Sequence, residues 1–587
     1  MKTQLNLNAL KIFSALAILL FACSASFGQS KTEKLDELLN MYSDYGKFNG
    51  SVLVAENGKI IYEKGFGMAD MEWNIPNNPL TKHRLGSVTK QFTAMIIMQL
   101  VEQGKLKLDV PISTYLPDYP KPNGDKITIH QLLTHTSGTP NFTSFPNYMS
   151  EISINQYPAE ELIKIFSASP LDFEPGTRYS YSNSGYFLLG VIIEKVTGKP
   201  YEEVLHDQIL TPLKMNNSGY DHHETILENR ASGYQKRGNQ LINAPYINMS
   251  VPFSAGAMYS TVEDLYLWDQ ALYTHQLLSE DNMKLMFSKH IPSGGQSYYG
   301  YGWGLYKTPI GSSADSIDVI AHTGSINGFT SIIERIPADR NLIVLLNNTG
   351  GAPLIEMSTA IAGILYNKEY KFPKRSLATL LMQTINEDGI EAGLKTFEKN
   401  KGSEDYELSE GEMNNIGYQV MSAGKIKEAI EVFKLNVKEF PKSSNVYDSL
   451  GEAYMNDGNK EEAIENYKKS VEINPANQNG IDMLAKLGVD TSSLTKEVTV
   501  DDKILEDYVG KYELAPGFNL TVRKDGKQMM TQATGQSEFP IFPKSDNVFY
   551  LKVVEAQLTF NRNSDGVVDS VTLLQGGQEI TGKKLEE

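Results

Sequence analysis

The position of two β-rich segments constrains the fold of this chain most strongly. Residues 49–67, NGSVLVAENGKIIYEKGFG, hold two β-rich runs around Asn57-Gly58, a favoured two-residue hairpin turn. A second β-rich stretch, residues 319–348, contains Gly- and Pro-bearing turns. Helical periodicity dominates between them. Because strands at both ends enclose helices, we predict an α+β domain over residues 30–370, with the terminal strands in one sheet.

The segment that follows repeats itself every 34 residues. The matched positions are Gly417, Gly424, Ala429, Phe433 and Pro441, which recur as Gly451, Gly458, Ala463, Tyr467 and Pro475. This pattern resembles the tetratricopeptide repeat, in which small residues let paired helices approach closely and prolines end each second helix. Asn386 begins what we interpret as a degenerate further unit. We predict about three units over residues 376–490, because such units need neighbours to bury their apolar faces.

The C-terminal segment, residues 500–587, has a different pattern. Runs such as VFYLKVV and AQLTFNRNSDGVVDSVTLLQ alternate like strands and are joined by Asp-Gly turns. We predict a small antiparallel β domain here, and we assign no catalytic residues to it.

The first 28 residues have the three-part pattern of a secretory signal peptide. Lys2 and Lys11 precede an apolar run over residues 12–22, and small residues follow up to Gly28. The run is too short to span a bilayer. We therefore predict an exported protein, periplasmic or secreted, with cleavage after Gly28.

Cys23 is the one cysteine of the sequence. It lies in LFAC, which loosely resembles a lipoprotein box, but the bulky Phe21 weakens that match. Cleavage after Gly28 would leave the mature chain without cysteine, which excludes disulfides, thiolate catalysis and cysteine metal sites.

The formal net charge of −17 excludes two classes of partner. Nucleic acids and anionic lipid surfaces both require basic patches, so we expect neither. Beyond the N-terminal run, no segment is apolar enough to cross a membrane.

A serine and a lysine lie three positions apart in S-V-T-K, at Ser87 and Lys90. Three residues are about one helical turn, so both side chains project from the same face. A serine hydroxyl needs a base to become a nucleophile, and lysine is a base only where its pKa is lowered. The apolar AMIIMQL that follows predicts such burial. By itself the motif is common, and a helix cap with a solvated lysine is the alternative.

Two later motifs add polar groups of suitable chemistry. Y-S-N runs from Tyr181 to Asn183, and H-T-G runs from His322 to Gly324. The tyrosine phenol can donate or accept a proton, and the asparagine amide can bind a substrate carbonyl or hold the lysine. The glycine would let a substrate approach the backbone closely.

In this order, S-V-T-K, Y-S-N and H-T-G resemble the signature of the serine hydrolase superfamily of class C β-lactamases, penicillin-binding DD-peptidases and related esterases. LLTHTSG at 132–138 and EPGTRYSYSNSGY at 174–186 are also similar to segments of that family. The resemblance covers residues 35–365. It implies an antiparallel sheet packed against an all-α subdomain, with the active site between them.

The resemblance also implies roles for individual residues. Ser87 would be the acylated nucleophile, Lys90 its base partner, and Tyr181 the second base and acid. Neither a metal nor an organic cofactor is needed in this family.

For substrate binding, the resemblance implies an oxyanion hole made by the backbone N–H groups of Ser87 and Ser325. We also expect Asn183, His322, Gly324 and Ser325 to contact the substrate.

One position departs from the β-lactamase form, because His322 replaces the lysine of K-T-G. Histidine has an unperturbed pKa of about 6.5 and is largely neutral near pH 7. The anchor for a substrate carboxylate is therefore weaker, which favours esters, amides or peptides over β-lactams. We expect His322 to contact the substrate or Tyr181; the alternative is a structural histidine at a strand end.

Other candidate residues have simpler interpretations. We expect His135 to anchor a loop, and residues 221–224, Asp-His-His-Glu, to form a surface loop, not a metal site. The aromatic residues 298–303 would equally well line the cleft or belong to the core. The repeats would serve either as a spacer or as a groove for a protein partner.

These observations predict an exported serine hydrolase that acts through an acyl-enzyme on a small-molecule or peptide substrate. The alternative is a sensor that binds a cell-wall fragment or penicillin, is acylated without turnover, and signals through its repeats.

Overall fold

The computed structural model describes residues 29–237, 240–491, 499–515, 518–534, 536, 538–575 and 578–585. The predicted signal peptide, with Cys23, lies outside these residues.

An eight-stranded sheet forms the centre of the first domain. Gly50–Glu56 pairs with Asn341–Asn347, so the N-terminal hairpin and the later strands share one sheet, as predicted. The sheet is antiparallel throughout. Its strands lie in the order Ile291–Gly294, Ser297–Tyr299, Gly304–Pro309, Ser316–Ile326, Phe329–Ile336, Asn341–Asn347, Gly50–Glu56 and Lys59–Phe66.

The predicted hairpin turn is present. Asn57 has φ 51° and Gly58 has φ 73°, and two positive values are what a two-residue turn of this kind requires.

Alternation along the strands gives the sheet two apolar faces. Leu53 belongs to one hydrophobic core, whereas its neighbours Val52 and Val54 belong to another. Helices Lys31–Asp44 and Leu354–Leu365 cover the second face. The helical subdomain covers the first face.

Two helices at the centre of that subdomain carry the predicted motifs. Thr89–Glu102 is buried from its first residue to Leu100, as its apolar sequence predicts. Asn183–Thr197 is similarly buried, and the Ser182 hydroxyl caps it by accepting a hydrogen bond from the Gly185 N–H. The other helices of this domain are Lys121–Gly124, Ile129–Leu133, Ala159–Ser167, Tyr201–Leu205, Thr211–Leu213, Phe253–Gly256, Val262–Ala271 and Glu280–Met286.

Short elements complete this domain. They are the helical turns Gly86–Val88, Ile112–Thr114, Phe142–Ser144, Tyr148–Ile152 and His206–Leu210, and the strands Met68–Asp70, Ile75–Pro76, His83–Arg84, Gly219–Tyr220, Tyr234–Arg237, Gln240–Asn243 and Met258–Ser260.

Paired helices form the repeat region. Its helices are Leu377–Asp388, Ile390–Asn400, Glu410–Ser422, Ile426–Glu439, Ser444–Asp457, Lys460–Ile473 and Gln478–Lys486, with short strands Arg375–Ser376 and Tyr406–Glu407. The small residues act as predicted, because Gly417 faces the ring of Phe433 and Gly451 faces that of Tyr467. The degenerate unit begins earlier than Asn386, since its first helix starts at Leu377.

The C-terminal region is an antiparallel β structure, as predicted, but it closes into a barrel. Closure comes from pairing of the first strand with the last, for example Tyr512 with Lys584. The region consists of helix Asp502–Tyr508 and strands Gly510–Ala515, Phe518–Asp525, Gln528–Ala533, Glu538–Pro543, Val548–Leu551, Ala556–Arg562, Val568–Gln575 and Gln578–Lys584.

Within the described ranges, none of the helices has the length and apolar character needed to cross a membrane.

The repeat packing predicts different outcomes for two equivalent glycines. A Cβ at Gly417 would lie 2.4 Å from the Phe433 ring, whereas one at Gly451 would lie 3.1 Å from the Tyr467 ring. We expect Gly417→Ala to destabilise its helix pair by about 1–3 kcal/mol through overpacking. In Gly451→Ala, the helix propensity gain of about 1 kcal/mol offsets the milder contact.

Hydrogen exchange of helices Glu410–Ser422 and Ser444–Asp457 in the full chain measures both effects. Equal protection in the two variants would contradict this account of the packing.

Candidate active site

Ser87 lies in the helical turn Gly86–Val88, which leads directly into helix Thr89–Glu102. The serine therefore precedes the helix, while Lys90 belongs to its first turn. The two side chains still meet, because Lys90 Nζ lies 3.0 Å from Ser87 Oγ.

Two oxygen atoms hold the lysine amine. Lys90 Nζ donates to Asn183 Oδ1 at 2.8 Å and to the Ala255 carbonyl at 2.8 Å. A neutral amine has two N–H groups and one lone pair. When the amine is neutral and both N–H groups are donated to these acceptors, its lone pair is left for the third neighbour, the Ser87 hydroxyl.

The environment of Lys90 favours this neutral form. Its side chain is fully buried. Burial lowers the pKa of the Lys90 amine well below its usual value, since the charged form loses its hydration. The rings of Tyr181 and Tyr186 lie 4.9 and 5.6 Å from Nζ.

Tyr181 completes the polar group around the serine. Burial raises the pKa of its phenol, and a hydrogen bond with Ser87 acts in the opposite direction as a smaller cause. The phenol therefore stays protonated at neutral pH. In this state it is a proton donor close to the Ser87 hydroxyl.

His135 lies beneath Tyr181, with their ring centroids 4.2 Å apart. Its Nδ1 accepts a hydrogen bond from the Ser182 N–H at 3.1 Å, which fits the expected loop-anchoring role. Burial is the main cause that holds the pKa of His135 well below its usual range.

Asn183 bridges the lysine to a neighbouring segment. While Oδ1 accepts from Lys90, its Nδ2 donates to Thr143 Oγ1 at 3.0 Å, and its backbone N–H donates to Asn141 Oδ1 at 3.0 Å. This network fixes which end of the amide faces the lysine. The suggestion that Asn183 holds the lysine thus agrees with the geometry.

The H-T-G segment lies in strand Ser316–Ile326 and runs beside the serine turn. Gly86 has φ 54°, and a Cβ there would lie 2.8 Å from the Ser325 backbone nitrogen. This close contact places the Ser325 backbone next to Ser87. Glycine is favoured at position 86 because its φ is positive and because a side chain there would collide with the Ser325 backbone.

Gly324 has a different role from the one that the sequence suggested. A Cβ at this position would lie 1.9 Å from the Leu85 carbonyl oxygen and 2.5 Å from Ser331 Oγ. The space beside Gly324 is therefore occupied by the protein's own backbone. The glycine allows the strand to approach the serine turn.

His322 is bonded within the protein. Its Nδ1 lies 2.6 Å from the Thr323 carbonyl and its Nε2 lies 2.9 Å from the Tyr299 hydroxyl. Because a carbonyl only accepts, Nδ1 carries the proton and Nε2 accepts from Tyr299. The Tyr181 and His322 ring centroids are 6.3 Å apart.

The charge state of His322 follows from its surroundings. Burial is the main cause that lowers the pKa of His322 to about 4. The imidazole is therefore neutral at pH 7, as expected from the sequence.

A cavity of about 380 Å³ opens beside Ser87. Of the predicted substrate-binding residues, Asn183 and Ser325 line it. The full lining consists of Gly86, Ser87, Phe142, Thr143, Tyr148, Asn183, Gln235, Ile247, Pro252, Ala255, Gly256, Ser325, Ile326, Asn327, Gly328, Phe329 and Gly350.

The Asp-His-His-Glu segment, residues 221–224, makes ion pairs and hydrogen bonds within the protein. Asp221 pairs with Arg84 and Arg230, while His222 contacts Glu202. Across the described part of the chain, no group of three or more His, Cys, Asp or Glu side chains is arranged to hold a metal.

The aromatic segment 298–303 contributes to the core and supports the site. Tyr299, Tyr301 and Trp303 are buried, and Tyr299 is the partner of His322.

Sequence reasoning missed two groups that position the site. The Ala255 carbonyl holds Lys90, and Thr143 holds Asn183. A backbone carbonyl leaves no mark on residue identity, so Ala255 gave no signal. The sequence indicated Tyr299 only as part of the aromatic segment 298–303, without its hydrogen bond to His322.

Comparison with known proteins identifies the class. The beta-lactamase family model matches residues 33–366, so the chain belongs to the beta-lactamase family. A tetratricopeptide repeat model matches residues 444–477, and a domain of unknown function, DUF3471, matches residues 494–584. The protein is a serine hydrolase of this family, followed by helical repeats and a small β domain.

Curated relatives include two proteins of Bacillus subtilis (strain 168). The putative penicillin-binding protein PbpX is 33% identical over 321 residues, covering 54% of this chain and 75% of the relative. Penicillin-binding protein 4* is 29% identical over 374 residues, covering 59% of this chain and 79% of the relative.

Solved structures show the same fold. The penicillin binding protein from Bacillus halodurans matches with TM-score 0.50 and 29% identity, over 55% of this chain and 98% of that one. The D-amino acid amidase from Ochrobactrum anthropi SV3, complexed with L-phenylalanine, matches with TM-score 0.50 and 29% identity, over 57% and 99%. The octameric penicillin-binding protein homologue from Pyrococcus abyssi, 22% identical with TM-score 0.51, covers 93% of this chain and shows likeness of fold alone.

The contact between Asn183 and Lys90 predicts a shift in pH dependence. In Asn183→Asp, a carboxylate would replace the amide oxygen 2.8 Å from Nζ. An adjacent negative charge raises the pKa of the lysine, so the neutral base forms only at higher pH. We expect the acid limb of the pH profile of kcat/KM to move to higher pH by roughly 1–3 units.

Asn183→Ala is the matched control, because it removes the acceptor without adding charge. An acid limb that stays in place in Asn183→Asp would show that the ionisation of Lys90 does not control activity.

Proposed function

We propose that this protein is an exported serine hydrolase that cleaves esters or amides through an acyl-enzyme on Ser87. The observation that carries the proposal is the position of the buried Lys90 amine, 3.0 Å from Ser87 Oγ and held by Asn183 Oδ1 and the Ala255 carbonyl, which leaves a lone pair for Ser87 when the amine is neutral. A base poised in this way supplies what a serine hydroxyl lacks.

In the acylation step, Lys90 takes the Ser87 proton as Oγ attacks the substrate carbonyl carbon. The carbonyl oxygen becomes negatively charged in the tetrahedral state. Backbone N–H groups of Ser87 and Ser325 are the proposed donors to this oxygen, which is supported by the contact between Gly86 and the Ser325 nitrogen.

Collapse of the tetrahedral state expels the alcohol or amine, which needs a proton. Tyr181 is the proposed donor, because burial keeps its phenol protonated and it bonds to Ser87. The proton that Lys90 took from Ser87 then restores the Tyr181 phenol and returns the amine to its neutral form. Water then attacks the acyl-enzyme and releases the acid. We assign Asn183 a dual role, holding Lys90 and facing the substrate in the cavity.

The relatives suggest the type of bond. The two Bacillus subtilis relatives are named as penicillin-binding proteins, and one similar solved structure is a D-amino acid amidase. We rank ester and amide hydrolysis above β-lactam hydrolysis because neutral His322 replaces a permanent cation. Asn183 and Ser325 are the proposed substrate contacts, whereas His322 and Gly324 act by shaping the strand that carries Ser325.

Loss of the nucleophile gives the direct test. We expect Ser87→Ala to reduce turnover of a chromogenic ester by at least about a thousandfold. A fluorophosphonate probe should add one mass equivalent to the wild type on the peptide containing Ser87, and none to the variant. Full activity in Ser87→Ala would contradict the assignment. A stable adduct without turnover would support the sensor alternative.

Export is a separate part of the proposal and rests on the sequence of residues 1–28. We expect the protein recovered from the producing cell to begin at Gln29 and to lie outside the cytoplasm. Intact mass and N-terminal sequencing measure this. An unprocessed N-terminus would contradict export by this route, and a lipid adduct on Cys23 would indicate a lipoprotein.

We also propose that the protein divides into domains at residues 30–370, 376–490 and 500–587. The separate hydrophobic cores of these segments support this division. The repeats contact both neighbours, for example through Lys47 with Glu407 and Lys442 with Glu579, which supports a spacer role. A protein partner for the repeats remains a second use of the same surface.

A further inference from the structure

We propose that the cavity beside Ser87 selects uncharged substrates with an apolar acyl group, such as medium-chain or arylacetyl esters and amides. This inference deepens the hydrolase proposal and rests on it. It starts from the composition of the cavity wall, where no lining residue in the described part of the chain is Asp, Glu, Lys, Arg or His.

Three basic side chains close to the site are not available as anchors. Arg84 lies over the Phe329 ring at 5.9 Å, but its Nε is 2.6 Å from the Asp221 carboxylate. Lys90 is buried beneath the serine with its N–H groups occupied. His322 is neutral, and its Nε2 accepts from Tyr299.

A charged substrate group would therefore lose its water without gaining a partner of opposite charge. Transfer of a carboxylate or ammonium group from water into such a site is unfavourable. A site of this kind discriminates against the charged analogue of a neutral substrate. The same property helps the product acid to leave, because hydrolysis of the acyl-enzyme creates a carboxylate.

The wall offers an apolar surface in place of charge. Its apolar members are Phe142, Tyr148, Ile247, Pro252, Ile326 and Phe329. Uncharged polar groups, among them Gln235 and Asn327, stand beside them. A wall that combines apolar side chains with uncharged polar groups is suited to a small uncharged substrate, and about 380 Å³ is enough to hold one.

Packing keeps this wall in place. The Phe142 ring stacks on Phe166 with centroids 5.9 Å apart, and the Phe329 ring meets His83 edge-on at 6.4 Å. These aromatic contacts fix both rings through other residues of the protein, which favours a preorganised acyl site.

Exposed apolar side chains are the sequence neighbours of two wall residues. Met149, 54% exposed, follows Tyr148, and Tyr246, 44% exposed, precedes Ile247. The two segments are joined by the Asn248 N–H, which donates to the Ser153 carbonyl at 2.9 Å. We expect an acyl group longer than the cavity to reach these segments, which we call the rim.

A matched pair of esters tests the charge preference in the purified full chain. p-Nitrophenyl methyl glutarate is neutral, and mono-p-nitrophenyl glutarate is its anionic form with one methyl group removed. We expect kcat/KM, divided by the hydroxide-catalysed rate of each ester, to favour the neutral ester by at least about tenfold. Equal values or a preference for the anion would overturn the proposal.

Acyl length tests the apolar wall. We expect p-nitrophenyl hexanoate to exceed the acetate by about tenfold or more in kcat/KM, since each buried methylene contributes favourably. No gain with length would overturn this part of the proposal.

Variants then locate the source of selectivity. We expect His322→Lys to shift the ratio toward the anionic ester, because it restores a cation, and His322→Gln to leave the ratio near the wild-type value. Arg237 is an exposed cation two residues from Gln235, and Arg237→Gln should not change the ratio. If Arg237→Gln changes the ratio of the neutral to the anionic ester, an exposed cation outside the cavity selects charge and the proposal is wrong. The wild-type ratio stands even if His322→Lys fails to fold.

These experiments distinguish failure of the hydrolase proposal from failure of the neutral-substrate proposal. If the esters acylate Ser87 and the anion is preferred, the hydrolase proposal stands and the neutral-substrate proposal is wrong. If acylation occurs without turnover, the burst rate of p-nitrophenol gives the same ratio. If neither ester nor fluorophosphonate reacts at Ser87, the hydrolase proposal fails and this one fails with it.

Discussion

The site depends on the burial of one amine. Lys90 is enclosed by the helical subdomain, and without its two acceptors the buried nitrogen would be left unsatisfied. Asn183 comes from the start of one helix and Ala255 from the short helix Phe253–Gly256. The reactive geometry is therefore a product of how three helical segments pack. Burial both holds the amine and lowers its affinity for a proton.

Close backbone packing brings the sheet to this lysine and serine. Gly86 and Gly324 stand where a Cβ would collide with the facing backbone, so strand Ser316–Ile326 can lie against the serine turn. The strand delivers Ser325 to the cavity and buries His322 against Tyr299. A histidine in this place is a structural hydrogen-bonding group, and the cavity that results contains polar and apolar groups without charge.

Much of the fold follows from local sequence rules. The Asn57-Gly58 turn, the buried helix after Ser87 and the 34-residue repeat each have a local signature that the structure reproduces. Barrel closure was not foreseen because it depends on pairing between the first and last strands, such as Tyr512 with Lys584. At the site, residue types indicated Lys90 and Asn183, but the Ala255 carbonyl has no side-chain identity to read. The close contact of Gly324 with Leu85 was not foreseen, because the two residues are distant in sequence.

The repeats touch the hydrolase at one end, where Arg375 lies over the Tyr45 ring, and the barrel at the other, where Lys544 reaches the Ile473 carbonyl. Each helix pair stacks only on its neighbours, so the array has one dimension along which it can lengthen. Gain or loss of a single unit would move the barrel by one fixed step of rotation and translation and leave both end contacts intact. The number of repeats therefore sets the distance and the angle between the hydrolase domain and the barrel, and it changes both by whole units.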